Sequence, residues 1–360
     1  SLAEGDIVSL YSFSDAVTEL APPTPVNAAT RAAILQRVQG LFAAGGTNLH
    51  DGLMAARMAA EQAPATHPVR RVVMISDGRA TVGRTSAEDI ANVAAGATEN
   101  GTQVTAIGVG LDYDENTLGR MAVRSAGRLY HLEMPQQMST ILHSELDLLG
   151  QTVAANAYIE ITPQEGVVLE GTEAVRLDHQ GATLRIPLGS LYSQQHREVL
   201  LRARVPTASL GARALGTARL VYEDPGAPGV ARNTPDLALH CEVTDSAEST
   251  SQSANQRVQG MVLSFEAAQS QMRAVQLLNQ GQAEQAEAEL GRTEERLRQA
   301  ATVQFSDEHV QTALRSQAAQ VSSGRAAARR AVSAPAPARA TMSRAAALHN
   351  NSQAMDAFGF

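Results

Sequence analysis

The sequence predicts a multidomain protein: a doubly wound, mostly parallel α/β sheet over residues 1–150, a β-sandwich over 151–245, and a helical hairpin or bundle over 252–333. Three observations predict this. Short apolar runs alternate with helical patterns in the first part, as in sheets covered on both faces. In the second part strand-like segments recur at close spacing between Gly- and Pro-containing turns. In the third, apolar residues return at the helical period, as at Val258, Met261, Val262 and Phe265.

Each element has a local reason. Apolar strand-like runs lie at Asp6–Phe13, Ala16–Leu20, Arg71–Ser76, Gln103–Val109 and Arg128–Leu132. The short Phe13-Ser14-Asp15 link predicts a hairpin, hence one antiparallel edge strand. Helical patterns fall between, at Asn27–Leu41, Asp51–Gln62, Ser86–Asn100, Asn116–Ser125 and Gln136–Leu149. Ser86, with Asp89 three residues on, is placed to cap its helix. In the middle part "ANAYIEITP", "GVVLEG", "AVRLD", "ATLRIPLG", "REVLLRARVP", "RALGTARLVYE" and "DLALHCEVT" read as strands. Further on, Gly281 interrupts a helical pattern and predicts a turn between two helices. A third helix is expected from near Ser306, with Asp307 and Glu308 where the helix dipole favours acids. "SAPAPARA" is expected to end order, leaving 334–360 as a flexible tail, although "DAFGF" has the composition to dock.

The composition narrows the function. Hydrophobic residues make up 44% of 360, enough for a sizeable core, but aromatics are 3% and Trp is absent. Packing therefore rests on small and aliphatic side chains. A net charge of −8 argues against a nucleic-acid binder. All basic residues are Arg, a compositional bias of the kind a GC-rich bacterial genome imposes. The single cysteine, Cys241, excludes an internal disulfide and reads as a small strand residue. No run of about 20 apolar residues predicts a transmembrane helix. The chain starts without Met, inside what reads as an ongoing domain, so its N-terminus is expected to be cut; the compartment is left open.

The stretch "RRVVMISDGRATVG" (70–83) carries the first functional signal. Ligands of open α/β sheets bind beyond the C-terminal ends of the strands, where Asp77 is placed. A second stretch, "AAGGTNLHDGL" (43–53), has a glycine pair for a tight turn and a hydroxyl at Thr47 before a helix. One carboxylate and one hydroxyl on two loops at one sheet end make part of a site for Mg²⁺, which takes few protein oxygens and keeps several waters. Read singly, Asp77 is also a turn residue before Gly78, and Thr47 a helix N-cap.

Together "GDIVSLYSFSD", "GGTNLHDGL", "RRVVMISDGRATVG" and "VTAIGVG" resemble, in order and spacing, the von Willebrand factor type A (VWA) domain in its bacterial form. Residues 151–333 are similar to the sandwich and helical extension that follow this domain in bacterial members. The resemblance implies a metal-ion-dependent adhesion site: Asp-x-Ser-x-Ser after a first strand, a Thr matched by Thr47, and an Asp matched by Asp77. It implies that the metal's open position takes an Asp or Glu of a partner protein. Ser76 and Asp51 are the neighbouring candidates for a supporting shell. The sequence departs from the pattern in lacking the first strand and its Asp-x-Ser-x-Ser. The look-alike Asp245-Ser246-Ala247-Glu248-Ser249 lacks the middle Ser and follows the sandwich. Weak or absent Mg²⁺ binding is therefore expected of this chain, and binding of its longer parent. Without that strand, the strands at 6–13 and 71–76 are expected either to flank an open slot or to collapse together.

Other motifs fail. "GVGLDYDEN" lacks the third Gly of a dinucleotide fingerprint and the Gly and Glu of a calcium loop, so its acids read as a loop capping the next helix. No nucleophile elbow surrounds Ser76, no zinc pattern involves the scattered His, and His131 reads as a strand residue; the chain is not expected to be an enzyme. Arg79 reads as a solvated arginine. Two functions follow: a metal-dependent module that recognises an acidic group, or a metal-independent scaffold whose helices at 252–333 make the contacts.

Overall fold

The structure, a computed structural model, describes residues 2–172, 175–195, 197–302 and 308–359. The chain forms two compact units: residues 1–206 with 214–241, and residues 207–213 with 242–360.

The first unit opens with an antiparallel hairpin of β1 (Ile7–Phe13) and β2 (Val17–Pro25). Helix α1 (Ala28–Gln39) follows; the Asn27 side chain accepts from Thr30 N and Thr30 Oγ1 from Asn27 N, both at 2.9 Å. Then come α2 (Leu49–Glu61), β3 (Arg70–Ser76), α3 (Ala87–Glu99), β4 (Thr102–Val109), α4 (Glu115–Arg124), β5 (Leu129–Leu132) and α5 (Met138–Gly150). Strands β3, β4 and β5 form a parallel sheet in that order, with Arg71 opposite Gln103 and Ile107 opposite Tyr130. Ser86 caps α3, accepting from Asp89 N. Asp114 caps α4, accepting from Asn116 N and Thr117 N. Strand β4 is buried from Thr102 to Gly108, so both of its faces are covered.

The N-terminal sheet is in two pieces. Among the described residues, β1 pairs only with β2 and β3 only with β4. The strands at 6–13 and 71–76 thus do not pair with each other. Helix α2 packs on both pieces, burying Leu49 and Leu53.

The next elements are β6 (Thr152–Pro163), β7 (Val168–Glu170), β8 (Asp178–Gln180), β9 (Thr183–Tyr192), β10 (Arg202–Arg204), β11 (Gly211–Glu223), β12 (Ala231–Asn233) and β13 (Leu237–Val243). A six-stranded antiparallel sheet runs β12-β11-β6-β9-β8, with β13 also on β11; β7 and β10 form a small separate pair. Ile161, Leu184, Ile186 and Leu188 make the core, and Leu169 and Leu201 pack over it. The expected sandwich is thus one broad sheet with a short second layer. Of "REVLLRARVP" only Arg202–Arg204 pairs, and "AVRLD" gives no strand before Asp178; its Ala174 lies outside the described residues. Cys241 is half-buried on β13.

Most of this β-rich region falls in the same compact unit as the parallel sheet. A buried polar network ties it to the parallel sheet. Arg71 donates through Nη1 to Glu145 Oε2 (3.0 Å) and Thr105 Oγ1 (2.9 Å), and through Nη2 to Gln103 Oε1 (3.0 Å) and the Tyr192 hydroxyl (2.6 Å) on β9. Tyr130 donates to Glu145 Oε1 at 2.6 Å. The Arg71 and Glu145 side chains are 3% and 2% exposed. Burial, then the Glu145 carboxylate, pushes the Tyr130 hydroxyl up to about 12. Arg128 stacks over the Tyr192 ring at 5.6 Å.

The second unit holds α6 (Ala247–Ser253), α7 (Gln256–Asn279), α8 (Ala283–Thr302), α9 (Glu308–Ser333) and α10 (Ala336–Phe358). The residues of the Asp245–Ser249 look-alike lead into α6, with Ser246 as its N-cap, accepting from Ser249 N. Gly281, at φ +77°, makes the turn between α7 and α8. Leu278, Leu290, Leu297, Leu314 and Val321 form a core completed by alanines, which let the helices approach closely. The expected start of the third helix at Ser306 and Asp307 lies outside the described residues.

The flexible tail expected over 334–360 is instead helix α10, packed on α7 and α9. Proline is compatible with the first helical turn, so "SAPAPARA" starts a helix instead of ending order. Ala346, Ala347 and Leu348 are buried, and the Phe358 ring rests on Phe265 with centroids 5.2 Å apart. In this unit Glu289 accepts from Arg292 (2.6 Å), Arg273 (2.9 Å) and Ser270 (3.2 Å). Burial pushes its carboxyl up, but the hydrogen bonds from Arg292 and Arg273 outweigh this and hold it at about 2.

Two outcomes are expected. Arg71→Met leaves the Glu145 carboxylate buried without its cation and lowers stability by about 3–5 kcal/mol, read as a drop in the urea midpoint. Glu289 is held below its ordinary 4.5 in the folded state, so its stabilising contribution is complete above that value and is lost as pH falls towards about 2. Glu289→Gln removes this part of the acid-side slope, measured by thermal unfolding across that window.

Candidate functional site

The rim where β1 and β3 end gathers three loops. The loop before α2 is set by Gly45 (φ +70°) and Gly46. A Cβ on Gly45 would stand 2.6 Å from Asp15 Oδ2, and one on Gly46 2.6 Å from Val82 Cγ2. The Gly46 amide donates to Asp15 Oδ1 at 2.6 Å, and Asn48 N to Ser14 O at 2.9 Å, fixing this loop to the end of β1. Thr47 fixes it to the loop after β3: its amide donates to Thr81 Oγ1 (2.9 Å), and its carbonyl accepts from Thr81 N (3.0 Å) and Val82 N (3.3 Å).

Thr47 and the Asp77 loop are thereby brought together. A Cβ on Gly78 would stand 3.2 Å from the Thr47 hydroxyl oxygen. The cap of α2 is Asn48, whose Oδ1 accepts from Asp51 N at 3.2 Å, so the Thr47 hydroxyl is not used in capping. Asp77 is exposed directly after β3. Ser76 is buried and donates from its hydroxyl to Gly78 O at 3.1 Å, shaping that turn. Asp51 is exposed on the first turn of α2; His50 Nδ1 (2.7 Å) and Asn48 Nδ2 (2.8 Å) bond its carboxylate and hold it below the usual range. Arg79 is exposed. His131 lies on β5, bonded to the Tyr113 hydroxyl.

Asp15 is the rim residue that pattern reading missed. Its signal was position: it follows the first apolar run as Asp77 follows the third, but the run looked like one arm of a hairpin.

The donor set is one hydroxyl beside one exposed carboxylate loop, with a second carboxylate held by the Gly46 amide. These are hard oxygen donors, the kind Mg²⁺ takes. Among the described residues no three His, Cys, Asp or Glu side chains are grouped to hold a metal ion. The described side chains here thus do not by themselves make a site that holds a metal ion.

Residues 2–143 match the sequence model of the von Willebrand factor type A domain, and this part of the chain is a VWA-fold domain. A von Willebrand factor type A structure from Catenulispora acidiphila superposes with a TM-score of 0.76 at 16% identity, covering 98% of this chain and 81% of that one. The ArnB paralog VWA2 from Sulfolobus acidocaldarius gives a TM-score of 0.49 at 15% identity, over 90% of this chain and 79% of that one. An uncharacterized protein of Synechocystis sp., sll0103, is 24% identical over 205 residues, 54% of this chain. The match spans 48% of that relative's length. The fold is one generally without catalysis of its own. Among the described residues no helix is long and apolar enough to cross a membrane.

Gly46→Ala tests the rim's geometry. Its Cβ would crowd Val82 and Thr81, and overpacking of this kind costs about 1–3 kcal/mol. The expected result is a lowered melting temperature with shifted amide resonances at Thr47 and Thr81.

Proposed function

We propose that this protein is a non-enzymatic recognition module in which Thr47 and Asp77 contribute to a divalent-cation site, and that the cation captures an Asp or Glu side chain of a partner protein. The observation that carries the reading is the approach of the Thr47 hydroxyl to Gly78, next to Asp77, from a loop about thirty residues away in sequence. Ser76 and Asp51 act on it indirectly, by shaping the turn after β3 and the first turn of α2. The resemblance to the VWA family supplies the rest: an Asp-x-Ser-x-Ser loop, carried by a first strand in a longer form of the chain, completes the shell. In the 360 residues present, Mg²⁺ binding is weak or absent because the donor set is partial. A carboxylate from outside is the natural further ligand, since a hard cation prefers an anionic oxygen to water where geometry allows.

The test uses Mg²⁺ at millimolar levels, with sodium acetate standing in for the partner's carboxylate. The expected result is a saturable shift of the Thr47 and Gly78 amide resonances that acetate strengthens and that Asp77→Ala and Thr47→Val abolish. Equal shifts in wild type and Asp77→Ala would defeat the ligand role. They would leave the metal-independent scaffold, with contacts made by the C-terminal helices, as the better reading.

A further inference from the structure

The parallel sheet has a second end, away from the Thr47–Asp77 rim. There α3 finishes at Glu99 and β4 begins at Thr102. Residues of β6, β8 and β9 complete the wall of a cavity of about 300 Å³, at the lower end of the range for small-molecule sites. All of it lies within the first unit. The backbone is shaped to leave this space. A Cβ on Gly101 (φ +73°) would collide with the Asn156 side chain, and one on Gly189 (φ +73°) with that of Gln103. Asn156 itself takes φ +51° and is anchored by donating from Nδ2 to Glu223 Oε2 at 2.8 Å. The β6–β9 register shifts on both sides of Ala157, next to it. A residue with a side chain in the left-handed region costs free energy and is held there by its surroundings.

Three side chains in the wall have bonding capacity to spare. Thr102 is fully buried, and its hydroxyl has no hydrogen-bond partner among the described residues. Buried hydroxyls are nearly always paired, so an unpaired one in a cavity wall calls for a ligand. Arg185 and Asp178 stand directly opposite each other in β9 and β8. Arg185 donates from Nε to Glu160 Oε2 (3.2 Å) and stacks over the Tyr158 ring at 4.6 Å, which leaves both Nη groups unbonded among the described residues. Asp178 uses Oδ1 to accept from Arg176 Nε at 2.6 Å, and its Oδ2 remains. Arg176, by contrast, is engaged at every nitrogen. Its Nη1 donates to Ala95 O and Arg124 O, both at 3.2 Å, and its Nη2 lies 3.5 Å from Glu99. The wall thus holds two arginines and two carboxylates, a balance that suits neither a polyanion nor a polycation.

We propose that this cavity binds a small zwitterion of amino-acid size with a polar side chain. Its carboxylate pairs with the two Nη groups of Arg185, whose planar fork suits a bidentate bond. Its ammonium lies against Asp178, across the β8–β9 pair from Arg185, with the exposed Glu99 at the mouth. Its side chain gives the Thr102 hydroxyl the partner it lacks. The site is distinct from the cation rim, since β3 and β4 are parallel and the cavity lies at the end where β4 begins.

Thermal shift and calorimetry in the presence of EDTA, with the standard L-amino acids as probes, test this apart from the cation site. L-glutamine is expected to raise the melting temperature and to titrate saturably. L-leucine, similar in size but unable to pair with the Thr102 hydroxyl, binds roughly tenfold more weakly or worse. L-glutamine methyl ester, which has no carboxylate for Arg185, falls by roughly the same factor. Thr102→Val keeps the side-chain shape and loses the hydroxyl. That hydroxyl makes no hydrogen bond within the protein, so the variant melts no lower than wild type without ligand. It binds L-glutamine about as weakly as wild type binds L-leucine. Arg185→Lys keeps a charge beside Glu160 without the planar fork and weakens L-glutamine binding roughly tenfold. No melting shift with any of the amino acids overturns the proposal. So does equal affinity for L-glutamine and its methyl ester, or equal affinity of wild type and Thr102→Val for L-glutamine. A Thr102→Val protein that melts well below wild type without ligand would make the hydroxyl structural and likewise overturn it.

Discussion

The buried pair of Arg71 and Glu145 organises the first unit. A guanidinium and a carboxylate almost out of water are tolerated only when each is satisfied by further polar partners. Thr105, Gln103, Tyr130 and Tyr192 supply them. These residues sit on β3, β4, β5, α5 and β9, so satisfying one ion pair fixes the parallel sheet, the helix that leaves it and the sheet that follows. Parting the β-rich region from the α/β layer would take the Tyr192 hydroxyl from the Arg71 guanidinium. Two segments that differ in sequence texture therefore fall largely in one compact unit.

The rim depends on this rigidity. Thr47, Asp15 and Gly78 lie on loops at the ends of β1 and β3, two strands that share no hydrogen bonds among the described residues. What aligns them is α2, which packs on both, and the short bonds among Gly46, Asp15, Thr47 and Thr81. The rim carboxylates of Asp15 and Asp77 are exposed, whereas Glu145 is buried and paired. Position in the sheet thus separates buried, paired acids from exposed ones.

The second unit solves packing differently. With few aromatics, its helices rely on alanine at their contacts, where close approach makes up in dispersion for small side chains. Charges such as Glu289 and its arginines lie at the margins of that core and lock adjacent helices in register. The C-terminal helix joins the same core, and Phe358 closes it against Phe265.

The alternation of apolar runs was enough to place most strands and helices of the first 150 residues, because period and turn chemistry are local properties. The caps at Ser86 and Asp114, the turn at Gly281 and the positions of Thr47 and Asp77 at strand or loop ends were legible for the same reason. Three features were not. That α10 is ordered depends on a partner surface on α7 and α9, which a window of sequence does not contain. That residues 1–206 form one unit depends on Arg71 meeting Tyr192, residues 121 apart in the chain. That Asp15 shares a rim with Thr47 depends on a strand edge and a glycine turn meeting in space. Local pattern determined the elements, since backbone preference and periodicity act over a few residues. Tertiary structure decided which of them share a core or a site, since burial and charge pairing are settled only among groups brought together from distant parts of the chain.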